Sequence, residues 1–292
     1  MKGKAAVRRS VPTAEPSPIS YFHGTGALAA VCISIDGFRL LPTTLRRWGY
    51  GAIGNGIHVT TLLETASYFA DQYVLRVRMA PGARILRLDG QYDRSVLDYL
   101  GREFGKELFS PHFDRAIPNN KHLTRTELIH LANYFWDKGK GLAAWTGPEE
   151  QGPMRRSLKK HQYDGVGCVT SDMGVVVFNP SHLVADGVFQ LTRPAGGTTA
   201  TQSADCLKAI DPLRLGTAAA EGLSAARANA SDLRATLEQR RPGDTASWLR
   251  LKRDEAEGYS HEIPRWQNCL RAFCTTHHLP MTGNPIAFAL EE

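Results

Sequence analysis

The chain has 292 residues, enough for a catalytic domain with a smaller companion. Hydrophobic residues make up 42% and charged residues 22%, ordinary globular usage that excludes wholesale disorder. No apolar run approaches the roughly 18–20 residues that a membrane-spanning helix requires, so a soluble, membrane-free protein is expected. The net charge is +6, but residues 201–292 carry 11 basic and 12 acidic side chains, so residues 1–200 hold +7. A basic first part would attract polyanions such as dinucleotides or RNA, and serves equally as a solubilising surface.

Residues 1–19 read as a flexible basic tail. Arg8-Arg9 is followed by Ser10-Val11-Pro12-Thr13-Ala14-Glu15-Pro16 where a signal's apolar segment would stand, so the chain is expected to be cytoplasmic, with delivery into another cell open. Ile19 to Phe22 has strand character and leads into His23-Gly24-Thr25-Gly26. Ala27 to Ile35 suits a short helix closed by Gly37. Ile57-His58-Val59-Thr60 alternates as a strand does, Leu63 to Gln72 contains helix formers, and Tyr73 to Met79 and Arg84 to Leu88 alternate again. Residues 93–160 change to helical spacing and read as an insertion, with Thr124 and Glu127 placed as a capping box. Strand signals return at Tyr163 to Thr170 and Val175 to Asn179, with turn composition at Ser171-Asp172-Met173-Gly174 that fits a hairpin.

A small-residue linker is expected at 193–203, followed by a helical C-terminal domain over 204–292 with helices at Ala218 to Arg240, Trp248 to Gly258 and Ile263 to Cys274. Trp248, Trp266 and Phe273 would form its own small core. Cys32, Cys168, Cys206, Cys269 and Cys274 are scattered without zinc spacing, so buried thiols and no metal site are expected. His277-His278 reads as a helix end.

Three features lie in a fixed order. Tyr21-Phe22-His23-Gly24-Thr25 comes first, and Gly54-Asn55-Gly56-Ile57-His58-Val59-Thr60 with Ala66-Ser67-Tyr68-Phe69-Ala70 comes second. Tyr163-Asp164-Gly165-Val166-Gly167 with Val175-Val176-Val177-Phe178-Asn179-Pro180-Ser181 comes third. As an ordered set over residues 19–186 they resemble the ADP-ribosyltransferase superfamily, on its diphtheria-toxin and poly(ADP-ribose) polymerase side. That family has an H-G-T/S motif on its first core strand, then a G-x-G-I-Y motif with an aromatic eleven residues after the Tyr. A late strand carries a catalytic Glu.

The resemblance implies an α+β fold with a split antiparallel β core over 20–192, interrupted by the helical insertion, and an all-α C-terminal region. It implies NAD as co-substrate and cleavage of its nicotinamide bond through an oxocarbenium-like transition state. In that scheme His23 would hydrogen-bond a ribose hydroxyl, and Gly24 would bind the nicotinamide amide through its backbone. Thr25 would add a hydroxyl contact, and Phe69 or Tyr68 would stack on the nicotinamide ring. ADP-ribose would pass to a protein or nucleic acid, with a bacterial toxin or effector as the setting and an inhibitor or partner on the C-terminal helices.

Two departures stand out. His58 occupies the family's Tyr position, and the frame that usually holds Glu arrives at Gly174. Asp172, two residues earlier, would share that face if the strand extends so far, whereas in a tight turn it is only a turn residue. Glu64, Glu127 and Glu150 have no positional support. Two further readings therefore stand beside the transferase. One is an NAD-dependent RNA 2′-phosphotransferase, with His23, His58 and phosphate contacts from Arg76 and Arg78. The other is a catalytically inert nucleotide- or partner-binding module.

Overall fold

The computed structural model describes residues 19–40, 56–87, 160, 162–167, 174–192, 207–239, 245–282 and 284–291. Residues 93–159 of the expected helical insertion, with Glu127 and Glu150, as well as Asp172, Cys168, Cys206 and the 193–203 linker, lie outside these residues.

The described fold is mixed α+β, with two small sheets and a set of helices. Strand β1 (Tyr21–Thr25) carries the His-Gly-Thr triplet within it rather than after it, and α1 (Ala27–Asp36) follows at once. Next come β2 (Ile57–Val59), α2 (Leu63–Tyr68), β3 (Tyr73–Met79) and β4 (Ile85–Arg87). β5 (Gly165–Gly167) and β6 (Val175–Val177) pair antiparallel, as the expected hairpin requires. A 3-10 turn at Pro180–His182 then opens β7 (Leu183–Leu191), and β8 (Leu207–Ala209) completes the strands.

One sheet has the order β1-β3-β7-β8 and is wholly antiparallel. The other has the order β2-β6-β5-β4, and its β4–β5 pair is parallel, which departs from the purely antiparallel core expected. Among the described residues, a single isolated bridge between Phe22 and Thr60 joins the two sheets, with N···O distances of 2.6 and 3.0 Å.

The C-terminal region differs from expectation in two ways. It begins with a strand, β8, which extends the first sheet beside β7. Its helices α3 (Pro212–Glu238), α4 (Ala246–Thr276) and α5 (Pro285–Glu291) also bury their apolar stripes in the core of the sheet region. Leu215, Leu223, Leu270, Phe273 and Ile286 belong to the same buried cluster as Tyr21, Val31, Leu75, Val59 and Val177. Phe273 is thus part of the common core. A smaller satellite holds Ala226, Ala230 and Tyr259, with Trp266 packed against it.

α4 runs unbroken through Pro264, where two helices were expected. A mid-helix proline removes one N–H donor and crowds the preceding turn. Burial of Tyr259, Glu262, Cys269, Leu270 and Phe273 on either side of it offsets that cost. The helix ends at Thr276, with His277 at the cap, as the sequence suggested. Among the described residues no helix is long and apolar enough to cross a membrane.

Candidate functional site

The site is built where the two sheets part. Alternation along β1 sends Tyr21, His23 and Thr25 toward the face shared with Tyr73, Leu75 and Val77, while Phe22 and Gly24 take the other face. Main-chain groups alternate too. Phe22 donates its N–H to the Thr60 carbonyl, and its own carbonyl accepts the Thr60 N–H, both away from β3. In an antiparallel strand the same side is reached again two residues later. The Gly24 N–H and carbonyl therefore also point away from β3, into the split.

Continuing the Phe22–Thr60 register would set Gly24 against His58. The ladder stops instead, and the His58 carbonyl accepts a hydrogen bond of 2.7 Å from His23 Nδ1. A carbonyl can only accept, so Nδ1 carries the proton and Nε2 presents a lone pair. The His23 ring lies edge-on to Phe38, with centroids 5.4 Å apart, so its plane is held from a second direction. Burial pushes the His23 pKa below its ordinary value, and the bond to His58 opposes this only in part. His23 is thus a neutral imidazole of fixed tautomer at physiological pH.

Gly24 has a further reason to be glycine. A Cβ there would run into the Ala66 carbonyl and come within 2.9 Å of the Ala70 nitrogen, so α2 sits directly on the strand. Phe69 lies between those two alanines, beside Gly24. Its ring is 70% exposed and that of Tyr68 is 89% exposed, the two meeting edge-to-face with centroids 6.0 Å apart. Exposed neighbouring aromatics at a backbone cleft can stack on a planar ligand. Thr25 is buried at the end of β1, opposite Tyr73.

The structure thus brings His23, Gly24 and His58 together, with Tyr68 and Phe69 at the end of the helix that covers Gly24. His58 takes part through its carbonyl, a backbone role that side-chain motifs do not reveal. The side chain of His58 lies on the face of β2 opposite Ile57 and Val59, which enter the common core.

Gly174 adopts φ +64°, and a Cβ there would lie 2.6 Å from the Val59 carbonyl oxygen. The position in the frame of the family's Glu is therefore a left-handed bend against β2, with no room for a side chain. Strand β6 begins only at Val175, so the two-residue repeat invoked for Asp172 does not run on through Gly174. Glu64 stands in the first turn of α2.

Arg76 and Arg78 do not form an open phosphate cradle. Asp186 on β7 holds both, at 3.3 Å from Arg76 Nε and 3.1 Å from Arg78, and Arg76 also lies over the Phe189 ring. No group of three or more His, Cys, Asp or Glu side chains placed to hold a metal ion occurs among the described residues. No family model matches the chain, and no curated protein or solved structure matches it either.

Proposed function

We propose that the chain is an NAD-dependent ADP-ribosyltransferase that cleaves the nicotinamide bond and passes ADP-ribose to a macromolecular acceptor, protein or nucleic acid. The observation that carries this reading is the backbone of Gly24, turned into the split between the sheets. One N–H donor and one carbonyl acceptor side by side are complementary to the carboxamide of nicotinamide, which offers one acceptor and two donors. Phe69 and Tyr68, exposed beside that strand, supply a surface on which the pyridinium ring can stack.

His23 fits the ribose role. Its Nε2 lone pair can accept a hydrogen bond from a hydroxyl of the nicotinamide ribose, and the bond from Nδ1 to His58 fixes the ring while it does so. A neutral acceptor puts no positive charge beside the developing oxocarbenium ion, which an imidazolium would repel. Asp172 is the acid proposed to orient the ribose from the segment before β6. A toxin or effector setting, with an inhibitor or partner on the C-terminal helices, belongs to this same reading.

One observation favours a second reading, an inert NAD-binding module: Gly174 fills the frame of the acid in a conformation that excludes a side chain. The phosphotransferase reading is weaker, because Asp186 engages both arginines it would use. Calorimetric titration with NAD, combined with an assay for released nicotinamide, separates the three. Binding with release, and ADP-ribose on a protein or nucleic acid, supports the transferase. Binding without release supports the inert module. Removal of a 2′-phosphate from RNA supports the phosphotransferase.

A further inference from the structure

Helix α1 ends at Asp36, and the chain leaves it through Gly37, at φ +77°, into Phe38 and Arg39. Both flanks of Phe38 are tied to α4. Arg265 Nε reaches Asp36 Oδ2 at 3.0 Å, and the Cys269 thiol donates to the same oxygen at 3.2 Å. On the other flank Arg39 pairs with Glu262 Oε1 at 3.3 Å. Arg265 also holds Glu262 Oε2, at 3.2 Å, so the charges alternate from Asp36 through Arg265 and Glu262 to Arg39. This brace has its two ends on the 36–39 segment and its middle on α4. Between the ends, Phe38 is buried and meets the His23 ring edge-on, with centroids 5.4 Å apart.

We propose that Glu262 and Arg39 are positioning residues for His23: α4 braces the 36–39 segment so that Phe38 keeps the imidazole on its bond to the His58 carbonyl. An ion pair between two exposed side chains would be too weak for this task. Here Arg39 is 54% exposed but Glu262 only 2%, so water screens the attraction poorly on the carboxylate's side. The second cation, Arg265, keeps that buried charge compensated and ties it to Asp36 as well. Phe38 is the chain neighbour of Arg39, so releasing Arg39 from Glu262 frees the ring.

His23 needs both of its restraints. The bond of 2.7 Å from Nδ1 to the His58 carbonyl holds one atom of the ring, and the Phe38 edge holds the plane. With Phe38 loosened, water can reach the Nδ1–H and compete for that bond. The C-terminal region thus acts on the candidate site through the packing of one phenyl ring, with none of the brace's side chains needed at a ligand. Its weight for catalysis rests on the ribose role proposed for His23, whereas the brace itself involves no NAD.

The test follows the His23 Nδ1–H by nuclear magnetic resonance in the full-length protein with isotope-labelled histidine, and measures its exchange with water. No NAD is added, so failure here is distinct from failure of the transferase reading. Arg39→Ala should speed the exchange by about fivefold or more, and Glu262→Gln should do the same. Arg39→Lys keeps a cation opposite Glu262 and should retain the slow exchange. In a Phe38→Leu background, where exchange is already fast, Arg39→Ala should add nothing further. Leu86→Ala, at a buried position in the edge strand of the second sheet, lowers stability away from the brace and should leave the exchange unchanged. Arg39 is altered at a half-exposed side chain, so its variant carries the test even if Glu262→Gln misfolds. A His23 Nδ1–H that exchanges freely in the wild type, slow exchange in a folded Arg39→Ala variant, Arg39 and Phe38 effects that add independently, or equal acceleration in Leu86→Ala would each overturn the proposal.

Discussion

Phe273→Ala is the perturbation that best tests how the C-terminal helices relate to the sheets. Phe273 is 1% exposed in α4 and belongs to the cluster that also holds Tyr21, Val31, Leu75 and Val177. Its ring further packs on His277, with centroids 4.4 Å apart. Removing a buried phenyl ring costs the transfer of its carbons plus the cavity left behind, about 3–5 kcal/mol. Against a total stability on the order of 5–15 kcal/mol, that is a large fraction of what holds the chain folded. At roughly 2–4 °C per kcal/mol for a chain of this size class, the midpoint should fall by at least about 6 °C. Differential scanning calorimetry is the assay. A common core predicts that loss of Phe273 lowers the melting of the sheet region and of the helices together. If only a minor, separate transition moves while the main one stays, the C-terminal helices are an independent unit and the reasoning fails.

Three further outcomes follow from the site. Gly174→Glu should not create a working acid. It should destabilise the chain by at least about 1–2 kcal/mol, because a non-glycine residue is strained at positive φ and its Cβ would meet the Val59 carbonyl; chemical denaturation checks the loss and nicotinamide release checks the activity. Asp172→Asn should cut nicotinamide release by two orders of magnitude or more if Asp172 supplies the carboxylate, and near wild-type rates would remove it from the mechanism. The third concerns pH. His23 has a folded pKa below its ordinary value of 6.5, so the folded state binds fewer protons than the unfolded chain. The stability His23 contributes is complete above that ordinary value and is lost as pH falls through it toward the depressed folded pKa. His23→Gln should flatten this part of the acid side of the stability curve, and an unchanged curve would show that His23 is not buried neutral.

Much of the fold was legible because local pattern and burial agree. Tyr73 to Met79 alternates, and β3 has those bounds because it lies between two strands in the first sheet. Gly37 closes α1, with its N–H on the Ile33 carbonyl. β7 was not legible, since Asp186-Gly187 interrupts its alternation where the ladder with β3 shifts register between Arg76 and Val77. Composition marked the helical C-terminal region correctly in kind, yet helical spacing only shows that a stripe is apolar. It does not show which surface the stripe covers. The pairing of Leu223 and Leu270 with the sheet core is a property of the assembled chain.

The candidate site divides in the same way. His23-Gly24-Thr25 and Phe69 could be named from ordered motifs, because residue identity carries them. The His58 carbonyl and the outward backbone of Gly24 could not, since every residue has such groups and only the end of the ladder at Phe22–Thr60 leaves these two facing the split. The ion pairs of Arg76 and Arg78 with Asp186 were equally hidden, with 110 and 108 residues separating the partners.

The central claim is that the split beside His23 and Gly24 handles NAD. The most direct measurement incubates wild-type protein and His23→Ala with NAD labelled in its adenylate half, in the presence of separate protein and RNA fractions, and follows covalent label. The account predicts label on one fraction with wild-type protein and its loss with His23→Ala, while circular dichroism shows both proteins folded. Labelling that persists in a folded His23→Ala variant, or no labelling by the wild type with any fraction, would contradict it.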